Sequence, residues 1–163
     1  MGIDGIDMRS LTALLSAFVL LAPIATATAQ NREVPYWAAM RADEVNMRVG
    51  PSPDYGIDWV YKRKGLPIKV VRLMEGWRLV EDLDGTRGWV VARLLTPDRG
   101  AIVIGEGVAA MRAEPAGSAK LKWNLEPGVV GELGKCTEGW CRLNVDGRDG
   151  WVQAGRLWGD GEP

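Results

Sequence analysis

The chain contains no histidine, so a Ser-His-Asp or Cys-His relay cannot be built and the commonest zinc ligand is missing. Two groups of residues remain that could do chemistry. The first is the only cysteine pair, Cys136 and Cys141, in the stretch KCTEGWCRL. A structural zinc site needs four ligands, and this pair supplies two. The Cys-x4-Cys spacing also differs from the Cys-x-x-Cys of dithiol oxidoreductases. The second group is the acidic cluster Glu81, Asp82 and Asp84, which could offer the acid and base of a glycoside cleavage. It flanks an Asp-Gly dipeptide, where clustered charge ordinarily means a solvated turn, and no cleft signal accompanies it. The sequence therefore predicts no enzyme, no metal and no cofactor, with a carboxylate-dependent cell-wall hydrolase as the weakest alternative.

Whether the two thiols oxidise depends on the compartment. Residues 11–24 are an apolar run, shorter than the roughly 18 to 20 residues a spanning helix needs. Ala27-Thr28-Ala29 follows, with the small residues a signal peptidase accepts. The pattern predicts a signal peptide over residues 1–29 and a periplasmic or secreted protein with no membrane span after cleavage. Asp4 and Asp7 occupy the place of a basic opening, which points to Met8, followed by Arg9, as the start. In an oxidising compartment Cys136 and Cys141 are expected to form a disulfide. If residues 137–140 lie in and around a hairpin turn, the two cysteines face each other across adjacent strands. Such neighbours lie about 4.5 to 5.5 Å apart between Cα atoms, within disulfide range.

Composition sets the class around these groups. The chain is 47% hydrophobic and 25% charged, which is ordinary for a folded soluble protein. Its 20 Lys and Arg face 21 Asp and Glu with no long run of either sign, so the electrostatic footprint of a nucleic-acid binder is absent. There are eight Trp and three Tyr against one Phe, and Phe18 lies in the expected leader. The aromatic contacts of the folded part must come almost wholly from tryptophan.

Those tryptophans recur at fixed intervals. Met47-Arg48 matches Met111-Arg112, Pro51 matches Pro115 and Trp59 matches Trp123, all 64 residues apart. Gly65 then matches Gly128, and Gly76-Trp77 matches Gly139-Trp140, at 63. DGTRGWV from Asp84 matches DGRDGWV from Asp146 at 62. Three anchor sets drifting by one residue at a time imply a duplication with small loop changes. Each unit reads as short strands. In CRLNV, Cys141, Leu143 and Val145 alternate with Arg142 and Asn144. Asp84-Gly85 and Asp146-Gly147 are dipeptides that accept the positive φ of two-residue hairpins. About five strands per unit with Gly and Pro punctuation point to small barrels.

VNMRVGPSPDY, KGLPIKVV, EGWRLV and DGTRGWV, in that order and then repeated, resemble the bacterial SH3-type (SH3b-like) domain. The arrangement of a leader and two units with a cysteine pair in the second resembles exported tandem SH3-domain proteins of Gram-negative bacteria. The resemblance covers residues 36–160. It implies an all-β chain: two tandem SH3-like five-stranded barrels, residues 36–97 and 100–160, after the signal peptide. It also implies a binding or targeting module that works in the cell envelope, and it names no ligand. Trp77 and Trp140 match the groove tryptophan of SH3 domains. Both are expected to project away from the strand face that carries Val80 and Leu143. Trp89 and Trp151 are expected to fill the cores or close the barrels. Tyr55, Trp59 and Tyr61 precede Gly65, where a loop could carry them to the Trp77 face, so the expected ligand-binding set is Tyr55, Trp59, Tyr61, Trp77 and Trp140. A groove with several aromatic rims suits a sugar chain or an extended segment, and the expected partner is cell-wall peptidoglycan or an envelope protein segment. The alternative is a structural or envelope-assembly role in which these aromatics pack between the barrels. A polyproline ligand is not expected, because VNMRVGP and WVVARLL lack the ring-bearing positions of peptide-binding SH3 domains.

Overall fold

The computed structural model describes residues 1–2 and 32–163. The expected leader lies outside these residues, apart from its first two positions. The alternation in Val45–Arg48, buried at Val45 and Met47 and half-exposed at Asn46 and Arg48, marks the pattern that builds the first sheet. Its strands are β1 (Tyr36–Met40), β2 (Val45–Arg48), β3 (Ile57–Tyr61), β4 (Pro67–Met74), β5 (Trp77–Glu81), β6 (Arg87–Val91) and β7 (Leu95–Thr96), in the order β3-β2-β6-β5-β4-β1-β7. The second sheet holds β8 (Gly100–Val103), β9 (Ala109–Arg112), β10 (Leu121–Leu125), β11 (Val130–Thr137), β12 (Trp140–Val145), β13 (Arg148–Gln153) and β14 (Leu157–Trp158), in the order β10-β9-β13-β12-β11-β8-β14. Moving every strand seven places along the chain turns one order into the other. The duplication of sequence is a duplication of topology.

Each sheet wraps its own core. All seven strands of the first send side chains into one cluster, from Ala38 and Met40 through Met47, Ile68, Val70, Val80 and Val90 to Leu95. The second cluster gathers Ala101, Val103, Met111, Cys141, Leu143, Val152 and Leu157 in the same way. Seven strands per sheet exceed the five expected. Tyr36–Met40 buries four successive residues, so it carries no alternation to read, and the two-residue β7 and β14 are too short to show a period.

The repeated Met-Arg and Gly-Trp-Val motifs prove to be two halves of one contact. Met47 and Met111 are fully buried. A Cβ on Gly88 would strike the Met47 side chain, and one on Gly150 would lie 2.5 Å from Met111 Cγ. Glycine is there so that methionine can lie flat on the strand. Because Gly88 faces the core, the next residue faces away, and this corrects the expectation for Trp89 and Trp151. Neither belongs to a core cluster. Trp89 is buried on the opposite face, in register with Leu79 and Arg48, and Trp151 is half-buried in register with Arg142 and Arg112.

The β11–β12 and β4–β5 hairpins share one register at their turns. Cys136 pairs with Cys141 and Thr137 with Trp140, leaving Glu138 and Gly139 as a two-residue turn with φ of 50° and 78°. The disulfide is formed, with a Cα separation of 4.0 Å. In the first domain Leu73 and Arg78 take the cysteine positions. There Arg78 Nη1 donates to the carbonyls of Met74 and Trp77 at 3.2 and 2.8 Å. A guanidinium clips the first hairpin where a disulfide clips the second.

The domains meet through small residues and two tryptophans. Trp37 of β1 and Trp158 of β14 pack edge to face with ring centroids 4.7 Å apart. Arg63 Nη1 donates to Gly128 O at 2.7 Å, and Gly100 lies so close to Gly65 O that a side chain there would collide with it. The aromatics at the junction are thus Trp37 and Trp158, rather than Trp77 and Trp140.

Candidate functional site

Trp77 opens β5 and stands in register with Met74 and Val91, on the face opposite the fully buried Val80. It lines a groove of about 700 Å³ with Asn46, Arg48, Pro53, Val91 and Leu94. Pro53 reaches this groove because the segment between β2 and β3 is pinned. Arg48 Nη1 donates to Tyr55 O at 2.6 Å, and the Tyr55 ring lies over Gly50, where a Cβ would come within 2.5 Å of it. The arginine of the repeated Met-Arg motif is therefore a loop anchor as well as a groove wall. Arg112 repeats the anchor by donating to Ala119 O at 2.7 Å, 64 residues on.

Trp140 occupies the same place in the second domain, but the space around it is small. That groove measures about 90 Å³ and is lined by Ala110, Arg112, Gly117, Trp140, Gln153 and Arg156, among others. Repeat partners of the first groove can be followed one by one. Val91 gives way to Gln153, Leu94 to Arg156, Pro53 to Gly117 and Asn46 to Ala110.

The structure does not bring the remaining aromatics to Trp77. Tyr61 is 6% exposed and belongs to the first core cluster, which removes it from any binding surface. Its hydroxyl donates to Asp82 Oδ2 at 2.9 Å. Burial first, and the hydrogen bond to Asp82 second, push its pKa far above the usual phenol range. The sequence carried a signal for this: Tyr61 falls on Leu125 in the repeat, an aliphatic position that is also buried. Trp59 is 58% exposed, but it pairs with Met47, whose side chain enters the core, so it stands on the other face of β2 and β3 from Arg48 and Trp77. Its repeat partner Trp123 is also exposed, with the Arg148 guanidinium 5.1 Å from the ring centroid. Tyr55 is exposed within its own loop. Of the expected set, Trp77 and Trp140 each line a groove, in separate domains.

The acidic cluster is occupied by structural work. Glu81 meets Lys69 at 3.1 Å and Arg87 at 2.6 Å. Hydrogen bonds from Arg87 and then Lys69 hold its carboxyl below the usual carboxylate range, the opposite of what a general acid needs. Asp82 Oδ1 accepts the amides of Asp84 and Thr86 at 3.1 and 2.9 Å and shapes the turn. That turn is wider than the two-residue hairpin expected, spanning residues 82–86 between the Glu81 and Arg87 pair, whereas Asp146-Gly147 does form the tight version. Among the described residues no group of three or more His, Cys, Asp or Glu could hold a metal ion. A second concavity of about 800 Å³ lies between the domains, where Arg41, Lys62 and Lys64 face Glu132 and Asp146.

Comparison with known proteins places this architecture. The family model described as Bacterial SH3 domain matches residues 41–97 and 105–159. The chain belongs to the bacterial SH3 domain family. It is 26% identical over 127 residues to the putative N-acetylmuramoyl-L-alanine amidase YrvJ of Bacillus subtilis (strain 168), covering 72% of this chain and 24% of that protein. Among solved structures it is similar to NlpC1 from Trichomonas vaginalis, with 12% identity, a TM-score of 0.35, and coverage of 84% of this chain and 50% of that one. It is also similar to an NlpC/P60 family protein from Bacillus cereus ATCC 10987, with 10% identity, a TM-score of 0.35, and coverage of 75% and 55%. The chain spans about a quarter of the curated relative's length and about half of those solved chains. Among the described residues no helix is long and apolar enough to cross a membrane.

Proposed function

We propose that this protein is an exported, non-enzymatic binding module that holds cell-wall peptidoglycan through its SH3 domains. The observation that carries the reading is the groove of about 700 Å³ around Trp77, built from strand positions that the fold repeats around Trp140. An indole beside Val91, Leu94 and Pro53 gives an apolar wall for a sugar face or an extended backbone, and Arg48 gives the polar edge that fixes orientation. The curated relative is named as a putative N-acetylmuramoyl-L-alanine amidase, and the shared segment supports a role in bringing a protein to a muramoyl-bearing polymer. The disulfide is consistent with an oxidising compartment outside the cytoplasm.

Purified, insoluble peptidoglycan incubated with the protein at low salt tests the proposal. The protein is expected in the pellet, and Trp77→Ala is expected to leave it in the supernatant with its β-sheet circular dichroism unchanged. A wild-type protein that stays in solution contradicts the proposal and turns attention to an extended protein segment as the partner.

A further inference from the structure

The two grooves share an origin and differ in chemistry. In the first, Trp77, Pro53, Val91 and Leu94 present apolar surface, and Arg48 and Arg93 line the edge. Among the described residues neither arginine forms an ion pair. Arg48 gives one nitrogen to Tyr55 O and keeps further donors, because a guanidinium has five. Two cations without a carboxylate beside an apolar wall call for a ligand that carries the missing charge.

The second groove keeps Arg112 in the place of Arg48, but Gly155 stands where Arg93 does and the apolar wall is lost. Gln153 replaces Val91 and Arg156 replaces Leu94, so the wall beside Trp140 turns polar. Arg156 is also spent internally. Its Nε donates to Ile104 O at 2.9 Å, its Nη2 to Gly107 O at 2.7 Å and its Nη1 to Val108 O at 3.4 Å. The side chain thus ties the segment between β8 and β9 to the groove wall. The space left is about 90 Å³, too little for more than a few water molecules or one small group, against about 700 Å³ in the first domain.

We infer that the first domain alone takes the ligand, as a carboxylate-bearing extended segment whose apolar face lies on Trp77 and whose carboxylate meets Arg48 and Arg93, and that Arg156 closes the second groove to it. The inference rests on the peptidoglycan reading above and narrows it: the peptide-bearing part of the polymer, with free carboxylates, is what the groove recognises. The second domain then serves as the rigid neighbour that the Trp37 and Trp158 contact holds in place.

The test uses soluble peptide-bearing fragments released from purified peptidoglycan, and the same fragments with their carboxylates amidated by carbodiimide and glycinamide. Binding is followed by calorimetry on the full chain. Trp77→Ala is expected to weaken binding tenfold or more, Arg93→Gln about threefold to tenfold, and amidation at least fivefold, while Trp140→Ala changes it less than twofold. Val91→Gln, which copies the second wall into the first domain, is expected to weaken binding as well, and circular dichroism confirms that each variant is folded. Equal losses for Trp77→Ala and Trp140→Ala, or fragments that bind alike with and without amidation, overturn the inference and leave the peptidoglycan reading standing. A wild-type protein that binds neither fragments nor insoluble peptidoglycan overturns both.

Discussion

Removing the disulfide should weaken the second domain without unmaking it. The bond closes a loop of sequence separation 5. Restricting so short a loop in the unfolded chain contributes about 2 kcal/mol. The hairpin itself is encoded without it, since Leu73 and Arg78 pair in the same register in the first domain. Two melting outcomes follow from the entropy of unfolding, which is about 2.1 cal/mol/K per residue. If residues 32–163 melt as one unit, losing about 2 kcal/mol lowers Tm by about 7 °C. If the second sheet, β8 to β14 over residues 100–158, melts alone, the same loss lowers its own transition by about 16 °C and leaves the first unmoved. Differential scanning calorimetry of the oxidised protein, the reduced protein and the Cys136→Ala/Cys141→Ala double variant separates these cases. The double variant should fall somewhat below the reduced protein, because Cys141 is fully buried and its sulfur packs in the core. Loss of sheet signal at 25 °C on reduction would contradict a hairpin encoded without the bond, since it would make the bond a condition of folding. A shift below 1 °C would refute the contribution of about 2 kcal/mol.

Further consequences concern the cores and the charged turn. Gly88→Ala and Gly150→Ala should each cost about 1 to 3 kcal/mol in urea unfolding, because the added methyl meets Met47 or Met111. Tyr61→Phe removes the hydroxyl bonded to Asp82 and should cost about 1 kcal/mol. With the folded pKa of Tyr61 raised, its contribution is complete below the unfolded phenol pKa and is lost as pH rises above it. Wild-type stability should therefore decline above about pH 10, by up to about 1.4 kcal/mol per pH unit from this group, and Tyr61→Phe should flatten that decline. Glu81 behaves in the opposite sense. Its lowered folded pKa adds stability above the unfolded carboxyl value, and this is lost as pH falls through the folded value, so Glu81→Gln should flatten the acid limb of the stability curve.

Much of this fold was legible because duplication writes each rule twice. The repeat spacing gave matching topologies, Asp146-Gly147 gave a two-residue hairpin turn, and the cysteine spacing gave a cross-strand pair. Trp77 and Trp140 were placed by alternation against Val80 and Leu143. Residue type misled where alternation and the repeat would not have. Trp89 looked like core filling, yet Gly88 takes the inward position so that Met47 can pack there. Tyr61 looked like a rim residue, and comparison with Leu125 would have moved it inside. Trp37 and Trp158 were not picked out, because they lie in strands with no counterpart in a five-stranded reading. The unlikeness of the two grooves needed coordinates. Val91 to Gln153 and Leu94 to Arg156 are visible as letters, but only the three carbonyls around Arg156 show why they matter.

The claim that the partner sits on Trp77 is tested most directly by nuclear magnetic resonance on labelled full-length protein titrated with soluble peptidoglycan fragments. The Trp77 indole signal and the amides of Asn46, Arg48 and Val91 are expected to shift first and saturate together, with Trp140 and Gln153 unmoved. Shifts confined to the Trp140 groove or to the cleft between the domains, or no shifts at all, would contradict it.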